Sequence, residues 1–453
     1  MVTRRQFQAG LMAAPALLAL RARAEAQTTL DVAIIGAGAA GLVAAHRARE
    51  KGLTTRIFEA RTRVGGRVYT DETLGPGFEA GAFYIHFAER NPWRGIAEAQ
   101  GVALVNDDTL SGGFNVFRDG RPIPPEERGR RRGAFGRLSD AVDAEGAGAD
   151  FSFAEAAQRL APDLFEAAQS LTLLSLGEEP ENVSVRDYQQ LDSGDDLVVP
   201  SGYGHILARH AQGLDIALAT PVSAIDTSGA AVRLTTPGGE VLARTVVLTV
   251  PIGVLQAGAI RFTPALPPAT LAAINGLGMG ALTKVALKFE GTRFGLNPWA
   301  QFFDQGTTTD KGPPDDLVNF EFWPFDRDLV VAMFGGNFAR GLVAAGEAAA
   351  VEAILARLTR ILGEDTRKAF RAGRLAGWSA DPFALGGYSI AKPGQAAART
   401  VLEAPIQGRL WLAGEANAGI ASMTAGGAAI AGRRAVDDAA QWLASGGRTG
   451  NGG

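Results

Sequence analysis

The 453-residue chain has no cysteine, which excludes disulfides, thiolate metal sites and cysteine nucleophiles. Histidine is scarce. The four, at positions 46, 86, 205 and 210, show no metal-ligand spacing of the HExxH kind, so no metal is expected. Lysine is scarce too, with six, at 51, 284, 288, 311, 368 and 392. Basic runs are limited to Arg128–Arg132, and the formal net charge is −4, so no nucleic-acid partner is expected. That arginine run, with Gly129 inside it and Gly133 after it, reads as a solvated surface loop.

What is present is ordinary for a globular enzyme: 46% apolar and 20% charged residues, in a length that suits about two or three domain-sized units. Glycine is abundant at 58 and falls largely in motifs. Residues 1–26 read as an address. Thr3-Arg4-Arg5-Gln6-Phe7 is a twin-arginine pattern, an apolar stretch runs from Ala9 to Leu20, and Ala22, Ala24 and Ala26 give an A-x-A-like cleavage context. The apolar stretch falls short of the roughly 20 residues that span a bilayer. The expectation is a folded protein handed to the twin-arginine export machinery, periplasmic or secreted. Removal of the address takes away four Arg and one Glu and shifts the net charge from −4 to −7.

Leu30–Ile35 is a short apolar run of strand type ending in Gly36-Ala37-Gly38-Ala39-Ala40-Gly41. An Ala-rich helical stretch follows from Leu42 to Glu50, then a second strand ending at Glu59. Strand, GxGxxG, helix, strand and acid together are the dinucleotide-binding pattern. Gly36 permits the tight turn, Gly38 lets backbone approach a pyrophosphate, and Gly41 lets helix pack on strand. Glu59 can accept from ribose hydroxyls, and the helix N-terminus offers free N–H groups to phosphate. The pattern alone leaves NAD and FAD open.

The residues after Glu59 decide between them. Glu59-Ala60-Arg61-Thr62-Arg63-Val64-Gly65-Gly66-Arg67 resembles the E-A-x-x-x-x-G-G-R extension of the flavin amine oxidase family, which includes polyamine oxidases, monoamine oxidases and histone lysine demethylases. Gly65 and Gly66 would bring more backbone to the cofactor, and Arg61 and Arg67 would neutralise its phosphates. The resemblance extends over nearly all of the chain after residue 26. Glu79–His86 resembles the segment passing the flavin ring, with Gly81, Ala82, Phe83 and Tyr84 as flavin contacts and Tyr84 and His86 facing substrate. Val222 matches a position whose backbone contacts adenine, and Pro251–Leu255 matches V-P-x-G-V-L. Leu277–Phe289 resembles L-G-x-G-x-x-x-K-V-x-L-x-F. Strand alternation alone would turn Lys284 to solvent; the resemblance implies that it holds a water against flavin N5. Trp378–Ser389 resembles W-x-x-D-P-x-x-x-G-x-Y-S, which makes Tyr388 one wall of an aromatic cage. Gly387 falls where monoamine oxidases carry the cysteine that links FAD, so the expected FAD is non-covalent. Leu410–Glu415 resembles the last strand of the fold, with Gly414 and Glu415 at the cofactor. Thr424 and Ala425 open a final helix aimed at the flavin. The family has an aromatic at Thr424, so the second cage wall is missing. Gly426 replaces the motif's usual His or Glu.

The fold implied is α/β: a discontinuous Rossmann-type FAD domain (27–90, 196–265 and 372–446) with an α+β substrate domain (91–195 and 266–371) and a frayed tail (447–453). The substrate domain is expected to be helical over 95–190, with strands at Lys284–Phe289, Gln301–Phe303, Leu317–Trp323 and Leu329–Phe334, then a helix over Glu347–Leu362. The resemblance implies oxidative deamination of a small amine: hydride transfer to flavin N5, imine hydrolysis, and reoxidation by O2 to give H2O2. It names Lys284 and Tyr388 as catalytic, and Tyr84, His86, Tyr388 and Thr424 as substrate contacts. Glu178 and Glu179 resemble acids at a polyamine oxidase pocket mouth, but read more simply as exposed surface acids. Two alternatives stay open. One is a flavin dehydrogenase or desaturase of a non-amine with another electron acceptor. The other is a flavin-fold binding protein without turnover.

Overall fold

A computed structural model describes residues 29–145, 150–160, 164–191, 194–306 and 316–447. The export address at 1–26 and residues 448–453 of the tail lie outside the described residues. The described residues form two large sheets with a cleft between them, beside three two-stranded pairs.

The cofactor sheet has eight strands among the described residues. Its parallel centre places Leu30–Ile35 between Thr55–Phe58 and Gly239–Leu248, with Leu410–Leu412 parallel to the end of the latter. Val32 and Ile34 enter one apolar core while Ala33 and Ile35 enter another. A strand buried on both faces is apolar throughout, as this one is, because helices cover a parallel sheet on each side. Helices Ala39–Glu50 and Ala425–Ala444 pack against each other on one side. Small residues permit that approach: a Cβ on Gly432 would stand 2.2 Å from the Ala40 carbonyl oxygen. The final helix is capped at Ser445, with Gly446 in the left-handed region beyond.

The second sheet has seven strands, in the order Phe370–Ala376, Thr283–Phe289, Leu329–Phe334, Val318–Phe322, Ala300–Asp304, Phe114–Arg118, Arg121–Pro122. One face is a core of Val285, Leu287, Phe320, Phe322 and Phe334 covered by helix Glu347–Leu362. The opposite face looks into the cleft.

Several expectations need correction. Residues 95–190 are helical in large part, but Phe114–Arg118 and Arg121–Pro122 complete the substrate sheet, parallel to Ala300–Asp304 at the first of them. The Arg128–Arg132 run is no loop; it belongs to helix Pro125–Glu145, and Arg131 pairs with Glu166. Its glycines did not break the helix because Ala134, Leu138 and Val142 anchor one face in a core. The domain seams also move. Strand Phe370–Ala376 lies in the substrate sheet, so the return to the cofactor unit comes after Ala376, past residue 372. Trp93 and Ala97 join the cofactor core, as do Ala273, Ile274 and Leu277, because helices at 92–99 and 268–276 cover that sheet's helical layers.

Candidate active site

The glycine loop is built as its spacing demands. Gly36 has φ +104, and a Cβ there would meet the Thr249 hydroxyl at 2.5 Å. A Cβ on Gly41 would lie 1.9 Å from the Gly36 carbonyl oxygen, so this glycine sets the packing of helix on strand. Gly38 is different: nothing lies within 4 Å of its Cβ position, and it faces open space. It caps helix Ala39–Glu50 without any side-chain hydrogen bond, so the first-turn N–H groups are available to an anion. Glu59 holds the loop: its carboxylate accepts from the Ala37 N–H at 2.7 Å and the Arg61 N–H at 2.8 Å. Gly66 has φ +57, and its Cβ position is 3.3 Å from the Gly38 Cα, which brings the second glycine pair to the same cradle.

A continuous cavity of about 1460 Å³ runs from this cradle into the cleft. All of the sequence-predicted site residues line it except Gly41, which works behind the loop. The two arginines are committed to carboxylates. Arg61 makes a bidentate pair with Asp381 at 2.7 and 2.6 Å and lies over the Trp378 and Phe383 rings. Arg67 donates to Glu415 at 2.9 Å and to the Gly387 carbonyl. Their charge is therefore balanced within the protein, and expecting two free phosphate-neutralising cations overstates their part. Glu415 also accepts from the Ser389 N–H and hydroxyl. Arg399 links Ser389 to Asp187 in a buried chain.

The cleft face of the seven-stranded sheet forms another wall. Register places Lys284 beside Met333, and Met333 beside Asn319; Glu321 stands two residues along from Asn319, flanked by Gln301 and Val331. All six line the cavity. Lys284 Nζ donates to the carbonyls of Glu79 and Gly81, each at 2.9 Å, and lies 5.4 Å from the Phe83 ring centroid. Burial pulls its pKa down to about 8, against the opposing pull of Glu79 and Glu321. Glu79, buried against Thr70 and the Tyr203 N–H, has its carboxyl pushed up by burial.

Tyr84 packs edge-on against Phe83 and beside His86, whose Nδ1 is 3.0 Å from Asp196. Tyr388 donates its hydroxyl to the Ser175 carbonyl at 2.5 Å. Burial raises both phenols well above the usual range. The Thr424 hydroxyl is used up as the N-cap of the final helix: it accepts from the Gly427 N–H at 2.9 Å and donates to the Ala421 carbonyl at 2.8 Å. It is thus a structural cap as well as part of the cavity wall. At Gly426 a Cβ would collide with the Asn91 amide at 2.4 Å; Asn91 fills the space of the missing side chain. Glu178 is no surface acid. It is 5% exposed, pairs with Arg340, and like Glu179, whose carboxylate caps the Asn337 N–H, does not line the cavity.

A family model described as flavin containing amine oxidoreductase matches residues 118–440. The chain belongs to that family. A second model, NAD(P)-binding Rossmann-like domain, matches residues 34–98. Lysine-specific histone demethylase 2 of Homo sapiens is 28% identical over 452 residues, covering 89% of this chain; the chain spans 52% of that protein's length. Polyamine oxidase 2 of Arabidopsis thaliana is 26% identical over 439 residues, covering 90% of this chain and 87% of that one. A solved structure of wild-type putrescine oxidase bound to putrescine superimposes with a TM-score of 0.74 at 20% identity, over 91% of this chain and 99% of that chain, which shows the shared fold.

As a member of this flavin-containing family the chain uses FAD, and its cradle fits that group. The open Gly38 backbone with Gly66 packed beside it, the free helix N-terminus and the Glu59 carboxylate would hold the dinucleotide; Gly414 and Ala425 would meet its flavin end. No cysteine is present to link it.

The sequence did not reveal the acidic end of the cavity. Glu321 has its pKa raised to about 7 by burial, with Asp107 adding and Lys284 opposing. Asp107, itself raised by burial and by Asp196, lines the same cavity with Asp196. The available signal was the strand Val318-Asn319-Phe320-Glu321-Phe322, whose alternation separates an apolar face from one bearing Asn319 and Glu321.

Proposed function

We propose that the protein oxidises a cationic small-molecule amine to an imine, which water hydrolyses, with O2 taking up the electrons as H2O2. The observation that carries this reading is Glu321. Its carboxylate stands on the cavity wall on the same sheet face as Lys284, and no described residue donates a hydrogen bond to it. A cavity-facing carboxylate held away from bulk solvent without a hydrogen-bond donor is costly, and an ammonium entering the cavity supplies one. Bound FAD would provide the hydride acceptor. The chain's own part is to orient the amine against Tyr388 and Tyr84, exclude bulk water, and hold a cation at Lys284 whose proton is easily released. The amine must enter the reaction neutral, and an ionised Glu321 is a group that can accept its proton. The relative named above as a polyamine oxidase supports the amine class.

The test is anaerobic absorbance of the purified FAD-loaded protein during titration with mono-, di- and polyamines. Bleaching of the flavin band followed by peroxide on admitting air is the expected result. A flavin that no amine reduces would remove the reading and favour a non-amine substrate.

We further propose that the chain is exported, on the strength of Arg4-Arg5 and the alanines at 22, 24 and 26. Changing Arg4 and Arg5 to Lys should leave the protein in the cytoplasm of an expressing bacterium. Unaltered periplasmic recovery of that variant would count against twin-arginine export.

A further inference from the structure

We propose that the oxidised amine carries a bulky apolar group, aryl or long alkyl, seated in a second lobe of the cavity. This rests on the amine-oxidising reading above and names its substrate class. Helix Pro125–Glu145 is highly charged, yet Phe135, Leu138 and Val142 recur at helical spacing along one stripe. That stripe lines the cavity, together with Phe153, Leu171 and Leu174. The polar side chains beside them, Ser139 and Gln189, are uncharged. These apolar walls belong to the same cavity as Glu321 and Asp107.

Two features border it on the side of Lys284. Leu171 leads into a π-helical turn, Thr172–Leu176, that ends at Gly177 in the left-handed region. A Cβ on Gly177 would lie 2.5 Å from the Leu282 N–H nitrogen, so the turn is pressed against the loop before Lys284. Tyr388 donates to the Ser175 carbonyl within that turn, which ties this tyrosine to the segment that carries Leu174. Thr424, the other cavity-lining residue of the expected cage, is small and has its hydroxyl tied to the helix cap. No aromatic ring stands there to confine the substrate.

The two lobes ask for opposite chemistry. A linear polyammonium filling the helical lobe would place a charge among Phe135, Leu138, Val142 and Phe153, at a large desolvation cost. An apolar tail there gains up to about fourfold in kcat/KM per buried methylene. The fitting substrate is amphipathic: nitrogen toward Glu321 and Lys284, apolar group under the helices.

The experiment is a chain-length series on the FAD-loaded full chain: n-butylamine, n-hexylamine, n-octylamine and 2-phenylethylamine against putrescine and spermidine, read as kcat/KM and anaerobic bleaching. Octylamine should exceed butylamine on the order of a hundredfold. Phe135 is 39% exposed, so Phe135→Asp can place a charge at the lobe without emptying a core. It should lower the octylamine-to-butylamine ratio at least tenfold. Leu174→Phe, which fills the lobe, should move the optimum to a shorter chain, and thermal melts of both variants check folding. A flat series, or putrescine and spermidine as the best substrates, overturns the inference while leaving the amine reading intact. Bleaching by no amine at all is a different result and overturns that reading as well.

Discussion

Lys284 and Glu321 share one sheet face, and burial acts on them in opposite senses. It drives the lysine down to about 8 and the glutamate up to about 7. For Glu321 the folded value lies above the ordinary 4.5, so its contribution to stability is complete below pH 4.5 and is lost as pH rises to about 7. Its binding role runs the other way, since only the ionised form holds an ammonium. Activity on a cationic amine should therefore rise through pH 7 while stability declines over pH 4.5–7. Glu321→Gln should flatten both limbs and raise KM about tenfold or more, as expected for loss of a charged hydrogen-bond partner. Measuring kcat/KM and Tm across pH for both proteins checks it; a variant that keeps the wild-type profiles would remove Glu321 from recognition. Lys284→Met should retain bound FAD and slow turnover or reoxidation, read by stopped-flow of each half-reaction. Unchanged rates in both would remove Lys284 from the reaction.

At the level of elements, the chain announced some structures and concealed others for identifiable reasons. The glycine loop was legible because each glycine answers a local steric demand: the turn at Gly36, the open approach at Gly38, the tight packing at Gly41. Strand Leu329–Phe334 and helix Glu347–Leu362 were legible to the residue from periodicity. The acidic cluster was not, because alternation divides a strand into two faces without saying whether the polar one meets water or a cavity. Asn319 and Glu321 face the cleft only because the cofactor unit covers that side of the sheet. The same ambiguity made Lys284 look solvent-facing on strand pattern alone. The Arg128–Arg132 helix was hidden by its charge, since its apolar stripe at Phe135, Leu138 and Val142 begins beyond the run. Thr424 shows the reverse case: the position was read correctly as special, but its hydroxyl serves the helix end before any ligand.

Across the whole molecule, one buried chain of polar groups joins the two units. Arg67, beside the glycine cradle, holds Glu415; Glu415 accepts from Ser389; Ser389 accepts from Arg399; and Arg399 grips Asp187 with two bonds of 2.7 and 2.8 Å. Asp187 lies on helix Val185–Gln189, whose Tyr188 and Gln189 line the substrate cavity. Arg399 and Asp187 are both nearly fully buried, at 4% and 4% exposure, so removing one partner strands a charge where water cannot reach it. Such breaks cost about 3–5 kcal/mol. Arg399→Met should therefore lower Tm by several degrees, and it should also loosen FAD, because Ser389 and Glu415 lose their fixed positions at the cradle wall. A ligand that binds only the folded state restores stability in proportion to how far its concentration exceeds its Kd. Excess FAD should raise Tm less in the variant than in the parent at equal concentration, and the fitted Kd should rise. A variant whose Tm falls while its FAD affinity stays at the parental value would show that the chain of groups braces the fold without tuning the cofactor site.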